Sequence, residues 1–287
     1  MAGMNGVGTT SPTEPLGSAA SQEIALSVRG LTYGFDEASP LFQSLSFDIA
    51  QGEFASFVMP SGMGKTTLFR LLAGLLKPQA GTIAVYGSPH EEEAEAKAKP
   101  GKLGYMPQRD CLMPWRSVAD NAALGLELSG VSKREARRRV EELLPSFGLE
   151  GKGSMRVHEL SGGMRQRISF MRTLLGGGDV LLLDEPFSAL DAMTRVAMQE
   201  WLLRIWEQNR KTVLFITHDV DEALLLSDRV FLAATAPVAS LREVAVSPPR
   251  PRVYEDVLEG SFVDLKRRVL KLLDRGTGAR GGLSHEA

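Results

Sequence analysis

"FVMPSGMGKTTLF", Phe57–Phe69, follows the phosphate-loop pattern of glycine, any four residues, glycine, lysine and a hydroxyl residue, except that Met59 stands where the first glycine belongs. In such a loop successive backbone N–H groups curl around phosphate oxygens at the start of a helix. A lysine reaches the outer phosphates and a hydroxyl ligates a divalent cation. Ser61, Gly62, Met63, Gly64, Lys65, Thr66 and Thr67 can supply all of these parts. Gly62 and Gly64 keep the wrapped segment free of Cβ atoms where the backbone bends most sharply. Met59 precedes Pro60, which pushes it towards an extended geometry that methionine accepts without strain. The departure from the pattern therefore turns on the room beside one side chain.

Working outward, Ile24 to Leu31 alternates as a strand does, and "LSFDIAQGEFASFVMP" reads as a strand, a turn at Gly52 and a second, more buried strand. "GKTTLFRLLAGLL" continues with apolar residues at helical spacing and closes at Lys77 and Pro78. A charge-rich break, "GSPHEEEAEAKAKPGK", reads as solvated surface. Beyond it "VADNAALGLEL" and "SKREARRRVEELLPSFGL" predict a mostly helical segment. Its basic run Lys133 to Arg139 shares a helix with Glu135, Glu141 and Glu142, which predicts a solvated face rather than a nucleic-acid contact. Strand character returns in "DVLLLDEP", "KTVLFITHD" and "DRVFLAA", with helical stretches between. Near-continuous apolar strands alternating with helices mark a parallel sheet covered on both faces. The fold class is thus α/β, interrupted by a helical insertion at about 110–160.

The 43% hydrophobic and 24% charged content of this 287-residue chain is that of a soluble globular protein. A net charge of −2 gives no general pull towards nucleic acid or anionic lipid. Cys111 is the only cysteine, which excludes an intramolecular disulfide and fits a reducing compartment. No stretch approaches the roughly 20 apolar residues that span a bilayer. Residues 1–23 lack the features of a signal peptide and read as a disordered leader, and 276–287 as a disordered tail. Between "VSPPRPRVYEDVL" and that tail, residues 251–275 form an extension whose helix "SFVDLKRRVLKLLDR" carries a Leu and Val stripe expected to pack on the core. His90, His158 and His285 lie in no context that suggests a role.

Two further motifs carry chemistry. "LSGGMRQR", Leu160–Arg167, offers a serine and paired glycines at a helix start, where N–H donors meet anions. "VLLLDEPFSALD", Val180–Asp191, ends a buried strand on Asp184 and Glu185, two carboxylates that would cost folding energy unless metal, water or basic partners met them. With Tyr33, Gln108 in "YMPQ" and His218 in "ITHD", these motifs stand in an order and spacing by which residues 24–250 resemble the ATP-binding-cassette (ABC) ATPases.

The resemblance implies a RecA-like P-loop NTPase core with an N-terminal antiparallel β subdomain and the inserted α-helical subdomain. It implies that ATP and Mg²⁺ are the cofactors. Tyr33 would stack on adenine. Lys65 would neutralise the outer phosphates, with Thr66 and Gln108 on Mg²⁺ and Asp184 in the metal's outer shell. Glu185 would polarise the attacking water, and His218 would help orient it. Ser161, Gly162 and Gly163 would reach ATP held by a second copy, so two subunits sandwich two nucleotides.

Transport would require docking on separate transmembrane permease subunits, at the cytoplasmic face of the cell membrane, with a solute-binding protein as an indirect partner and no nucleic acid. Leu112, Met113, Pro114 and Trp115 are the candidate dock. "LMPWRSVADN" and "PPRPR" look most like the nitrate, sulfonate and taurine branch of import ATPases, which also carries thiamine precursors. A soluble mechanical ATPase and a catalytically weak regulatory cassette remain the alternatives. In "FMRTLLGGGDV", Met171 and Thr173 replace small residues usual in the family, and its three glycines predict a loosened helix end.

Overall fold

The computed structural model describes residues 23–36, 39–89 and 103–277. The expected leader up to residue 22, the tail beyond residue 277, the acidic run 91–93, His90 and His285 lie outside the described residues. The strands are β1 (Ile24–Gly34), β2 (Pro40–Ala50), β3 (Phe54–Val58), β4 (Ala80–Val85), β5 (Ser88–Pro89), β6 (Leu103–Met106), β7 (Val180–Asp184), β8 (Thr212–Thr217), β9 (Arg229–Leu232) and β10 (Arg242–Ala245). The helices are α1 (Lys65–Leu72), α2 (Val118–Ala122), α3 (Leu124–Leu128), α4 (Lys133–Leu143), α5 (Gly162–Leu175), α6 (Ala192–Asn209), α7 (Val220–Leu226) and α8 (Gly260–Thr277).

An antiparallel sheet runs in the order β2-β1-β4-β5. A larger sheet runs β10-β9-β3-β8-β7-β6, with β10 antiparallel at its edge and the others parallel. Strands β2 and β3 adjoin in sequence but belong to different sheets, and the chain crosses between them at Gly52, whose φ is 72°. The Gly52 N–H donates to Thr212 Oγ1 at the start of β8, which fixes the crossing.

Strands β3, β7 and β8 are buried end to end, as expected for a sheet covered on both faces. Successive side chains leave a strand on opposite faces. Accordingly Phe54, Leu181, Leu183, Val213 and Phe215 join the core beneath α5 and α6, while Phe57, Val180, Leu182, Leu214 and Ile216 join the core shared with α1 and the antiparallel sheet. A stacked pair, Phe57 on Phe231 at 4.9 Å, sits in that second core.

The helical insertion differs in detail from its sequence pattern. "VADNAALGLEL" forms two short helices, α2 and α3, rather than one. The basic run lies on α4 with Arg138 and Arg139 paired to Glu135, a solvated face as expected. Helix α5 runs to Leu175, and the glycines that follow it lie against other segments. A Cβ on Gly125 would lie 2.6 Å from Gly176 Cα, and one on Gly178 would run into the Gly104 main chain, so these glycines permit close backbone approach.

The stripe of α8 packs on the core as predicted, with Phe262 and Val269 buried beside Ala223, Leu224 and Val230. This helix runs to Thr277, two residues into the expected tail. The linker before it is pinned by Arg252, only 5% exposed, whose guanidinium donates to the carbonyls of Leu224, Leu225, Ser227, Val246 and Pro248. Burial lowers its pKa to about 10, which still leaves it charged at neutral pH, against the carbonyl end of α7. Arg252→Met leaves those carbonyls without a donor and is expected to lower the unfolding free energy by about 2–4 kcal/mol in a urea titration. A loss below about 0.5 kcal/mol would mean that the linker holds without the arginine.

Candidate active site

Parallel strands bring their carboxyl ends to one edge of the sheet, and ligands bind in the crevice outside those ends. Val58 of β3 pairs in register with Thr217 of β8, and Asp184 of β7 with Ile216. The residues that follow, Met59 to Gly64, Glu185 and His218, therefore emerge side by side. Gly64 is the residue that caps the start of α1, and it holds φ 83° and ψ 20° in the left-handed region. A Cβ on Gly64 would come within 3.1 Å of the Phe42 ring and 3.2 Å of Leu41, so both conformation and contact call for glycine. Ser61 and Gly62 are exposed, Thr66 is half-buried, and Met63 and Thr67 are buried, so any contact of Met63 with nucleotide falls to its main chain.

Met59 is 1% exposed and lies in the core with Phe57 and Phe69. Its side chain has room, and its carbonyl accepts from Lys65 Nζ at 3.3 Å. Met59→Gly, which restores the motif, deletes that buried side chain. We expect it to cost about 2–5 kcal/mol of stability in a denaturant melt. Titration with a fluorescent ATP analogue should give an affinity close to wild type, and a large gain would show that the methionine crowds the loop.

Glu185 is the point on which the cleft converges. Its φ is 43°, in the left-handed region that a glutamate rarely adopts. Its N–H donates to Ile216 O at 3.0 Å, and its own carbonyl accepts from the main chain and hydroxyl of Ser188 at 3.2 and 3.0 Å, so surrounding bonds fix the strained residue. Around its carboxylate, Lys65 Nζ lies at 2.7 Å, His218 Nδ1 at 3.4 Å and Gln108 Nε2 at 3.5 Å. Gln108 also donates to Ser188 Oγ at 3.3 Å.

Asp184 lies beneath, 1% exposed, accepting from Tyr105 Oη at 3.3 Å. Burial raises the pKa of Asp184 against the pull of a Thr66 hydrogen bond. Burial, then the neighbouring Asp184 charge, pushes Tyr105 up to about 12, so it remains a donor. Asp184 Oδ1 is buried with no protein donor. A buried carboxylate oxygen beside the Thr66 hydroxyl is a donor set that suits a hard divalent cation.

Other expected residues stand apart from this cluster. Ser161 is exposed and caps α5, accepting from Met164 N at 3.3 Å. Gly163 lies against Thr194 and Met198 of α6. Among the described residues no hydrogen bond or ion pair joins Ser161, Gly162 or Gly163 to Lys65 or Glu185. Tyr33 is half-buried on β1, with its ring edge-on to Phe35 at 5.5 Å, and Phe35 is 71% exposed. In the candidate dock, Leu112 belongs to the core, whereas Trp115 is 73% exposed. Asn121, fully buried, holds that segment by bonding both the N–H and the carbonyl of Met113. Sequence reasoning missed Phe35, Tyr105 and Ser188, although the last two lie in the quoted "YMPQ" and "SALD".

Comparison with known proteins gives the family. The ABC transporter family profile covers residues 42–188. A formylaminopyrimidine import ATP-binding protein, ThiZ of Halalkalibacterium halodurans, is 39% identical over 86% of this chain and 96% of its own. The chain belongs to the ABC transporter family. It is one of the family's ATP-hydrolysing cassettes, and it binds ATP. The aliphatic sulfonates import ATP-binding protein SsuB 1 of Rhodococcus jostii is 42% identical over 81% of the chain and 88% of its own. A solved dimeric cassette in a post-hydrolysis state with ADP and Pi aligns at a TM-score of 0.65 and 26% identity, covering 78% of this chain and all of that one. Among the described residues no helix is long and apolar enough to cross a membrane.

Proposed function

We propose that this cassette is the ATP-hydrolysing subunit of a bacterial importer, acting at the cytoplasmic face of the membrane through a separate permease. The convergence of Lys65, His218 and Gln108 on the strained Glu185 carboxylate carries the reading. ATP entering the loop brings phosphate charge to Lys65, which exchanges its carboxylate partner for the nucleotide. The freed Glu185 carboxylate then accepts a hydrogen bond from the attacking water and draws off its proton. His218 orients that water and meets the γ-phosphate, and Tyr33 stacks on adenine. Thr66 and Gln108 would hold Mg²⁺ with Asp184 in its outer shell. When held there, the ion would supply positive charge that offsets the phosphates.

Ser161, Gly162 and Gly163 serve ATP bound by a second copy of the chain. The absence of any hydrogen bond or ion pair between them and this protomer's Lys65 or Glu185 among the described residues, and the dimeric state of the related cassette, support that role. The solute is a small molecule such as nitrate, a sulfonate, taurine or a thiamine precursor, and the relatives' names support the last three. A solute-binding protein delivers it. Residues 24–250 form the cassette, with the insertion at about 110–160 and the extension from 251 appended.

Glu185→Gln should bind ATP at least as tightly as wild type, because it removes the anion that competes for Lys65. Its phosphate release should slow by about 10²- to 10⁴-fold. Light scattering should show this variant accumulating as a dimer with Mg-ATP and as a monomer without nucleotide. Steady-state hydrolysis at the wild-type rate would remove Glu185 from the chemistry.

A further inference from the structure

Glu222 is a buried carboxyl to which the hydrolytic reading assigns no part. It sits in the first turn of α7, 6% exposed, and lines the same small cleft as Glu185, Ser188, Arg195 and His218. Its Oε1 accepts from Gln199 Nε2 at 2.9 Å in a buried bond. Gln199 lies on α6, the helix that Asp191 of "SALD" caps by accepting from Thr194 N. On its other side Glu222 bonds the Thr217 hydroxyl. That hydroxyl accepts from Asp219 N at 3.0 Å, and Asp219 Oδ1 in turn accepts from Asp221 N and Glu222 N.

His218 lies between Thr217 and Asp219, and its own side chain is 60% exposed. Its imidazole is thus placed largely by the main-chain turn beneath it, and that turn closes on Glu222. We propose that Glu222 is a positioning residue for hydrolysis, its carboxyl tying the turn that carries His218 to the helix that carries the "SALD" aspartate. This rests on reading Glu185 and His218 as the hydrolytic pair. The tie joins the segment that faces this protomer's own nucleotide to α6, against whose Thr194 and Met198 the signature Gly163 packs. Movement of either segment is thereby felt by the other.

The chemistry of the tie depends on a proton. Burial, resisted by the Thr217 and Gln199 hydrogen bonds, raises the Glu222 pKa to about 7. The charged groups around it are few. Asp219 at the helix start repels the ionised form and Arg195 of α6 attracts it. Glu185 and His218 face it across the cleft, and Asp221 is engaged by Lys266 of α8 at 2.6 Å. Gln199 Oε1 is buried without a protein donor, and a protonated Glu222 carries the hydrogen that can satisfy it. Burial outweighs the two bonds, so the closed arrangement favours the neutral acid, and ionisation, which leaves a desolvated charge within it, strains the tie as pH rises through about 7.

Three variants of the full chain test this. Glu222→Ala should lower kcat at least about 10-fold while the Kd for a fluorescent ATP analogue, read in the same buffer, stays near wild type. Glu222→Gln, which mimics the neutral acid, should recover kcat at pH 6.5 to near wild type. It should also lack the fall in kcat expected of wild type as pH rises through about 7. Identical pH profiles for wild type and Glu222→Gln would overturn the proposal. So would a Glu222→Ala variant whose kcat and ATP affinity fall in step with its melting temperature. Should Glu222→Ala not fold, the Glu222→Gln profile decides alone. Glu185→Gln, run alongside, separates the two readings: if it hydrolyses normally the catalytic pair is wrong, whereas if it is inactive and the Glu222 profiles coincide only the tie is wrong.

Discussion

The ion pair between Lys65 and Glu185 closes the distance between the phosphate loop after β3 and the acidic end of β7, and the rest of the cleft is arranged around it. Strand β8 lies between those two strands, so the pair bridges over the strand that delivers His218. Both partners are mostly buried, at 9% and 13% side-chain exposure. Desolvation on that scale largely cancels the Coulombic gain of a lysine–carboxylate pair. A phosphate that replaces the carboxylate meets a lysine already stripped of water, and exchanging one anion for another leaves the protein's own balance little changed. The pair is therefore a holding arrangement that keeps two opposite charges satisfied until nucleotide arrives.

That arrangement depends on backbone conformations the sequence states unevenly. Gly64 is recognisable because only glycine enters the left-handed region freely at the start of a helix this close to Phe42. Glu185 adopts the same region without being glycine, and no pattern of letters announces it. The bonds to Ile216 and Ser188 that hold it there come from a neighbouring strand and from the following turn. Met59 shows the reverse case, a letter that looks like damage to a loop and is in fact a core residue. Its side chain packs with Phe57 and Phe69, and only its carbonyl faces Lys65.

The parallel sheet was legible because β3, β7 and β8 are short apolar runs bounded by turns, and Lys65, Gln108, Glu185 and His218, which the structure gathers, were legible because they sit in short motifs that follow strands. What escaped reading depended on contacts between distant segments. Tyr105 matters to Asp184 only because β6 and β7 pair in register. The glycines at 176 and 178 looked like slack, yet they meet Gly125 and Gly104 from elsewhere in the chain. Leu112 and Trp115 are three residues apart in one quoted segment, and only the packing of α2 decides that the first is core and the second surface. Local pattern gives the type of an element, whereas a residue's partner across the fold needs the register of strands and the approach of helices.

Helix α7 ties these observations together. At its start Asp219 accepts from two N–H groups and orders the turn behind His218. At its end Arg252 satisfies the carbonyls of Leu224 and Leu225 and binds the linker of the extension to the same helix. Lys266 of α8 reaches Asp221 near the start. A helix of one to two turns is thus held at both ends, at one of them by charge-assisted bonds from Arg252. The linker and α8 are therefore bonded to the same helix that begins beside His218, although they contribute no group to the cleft.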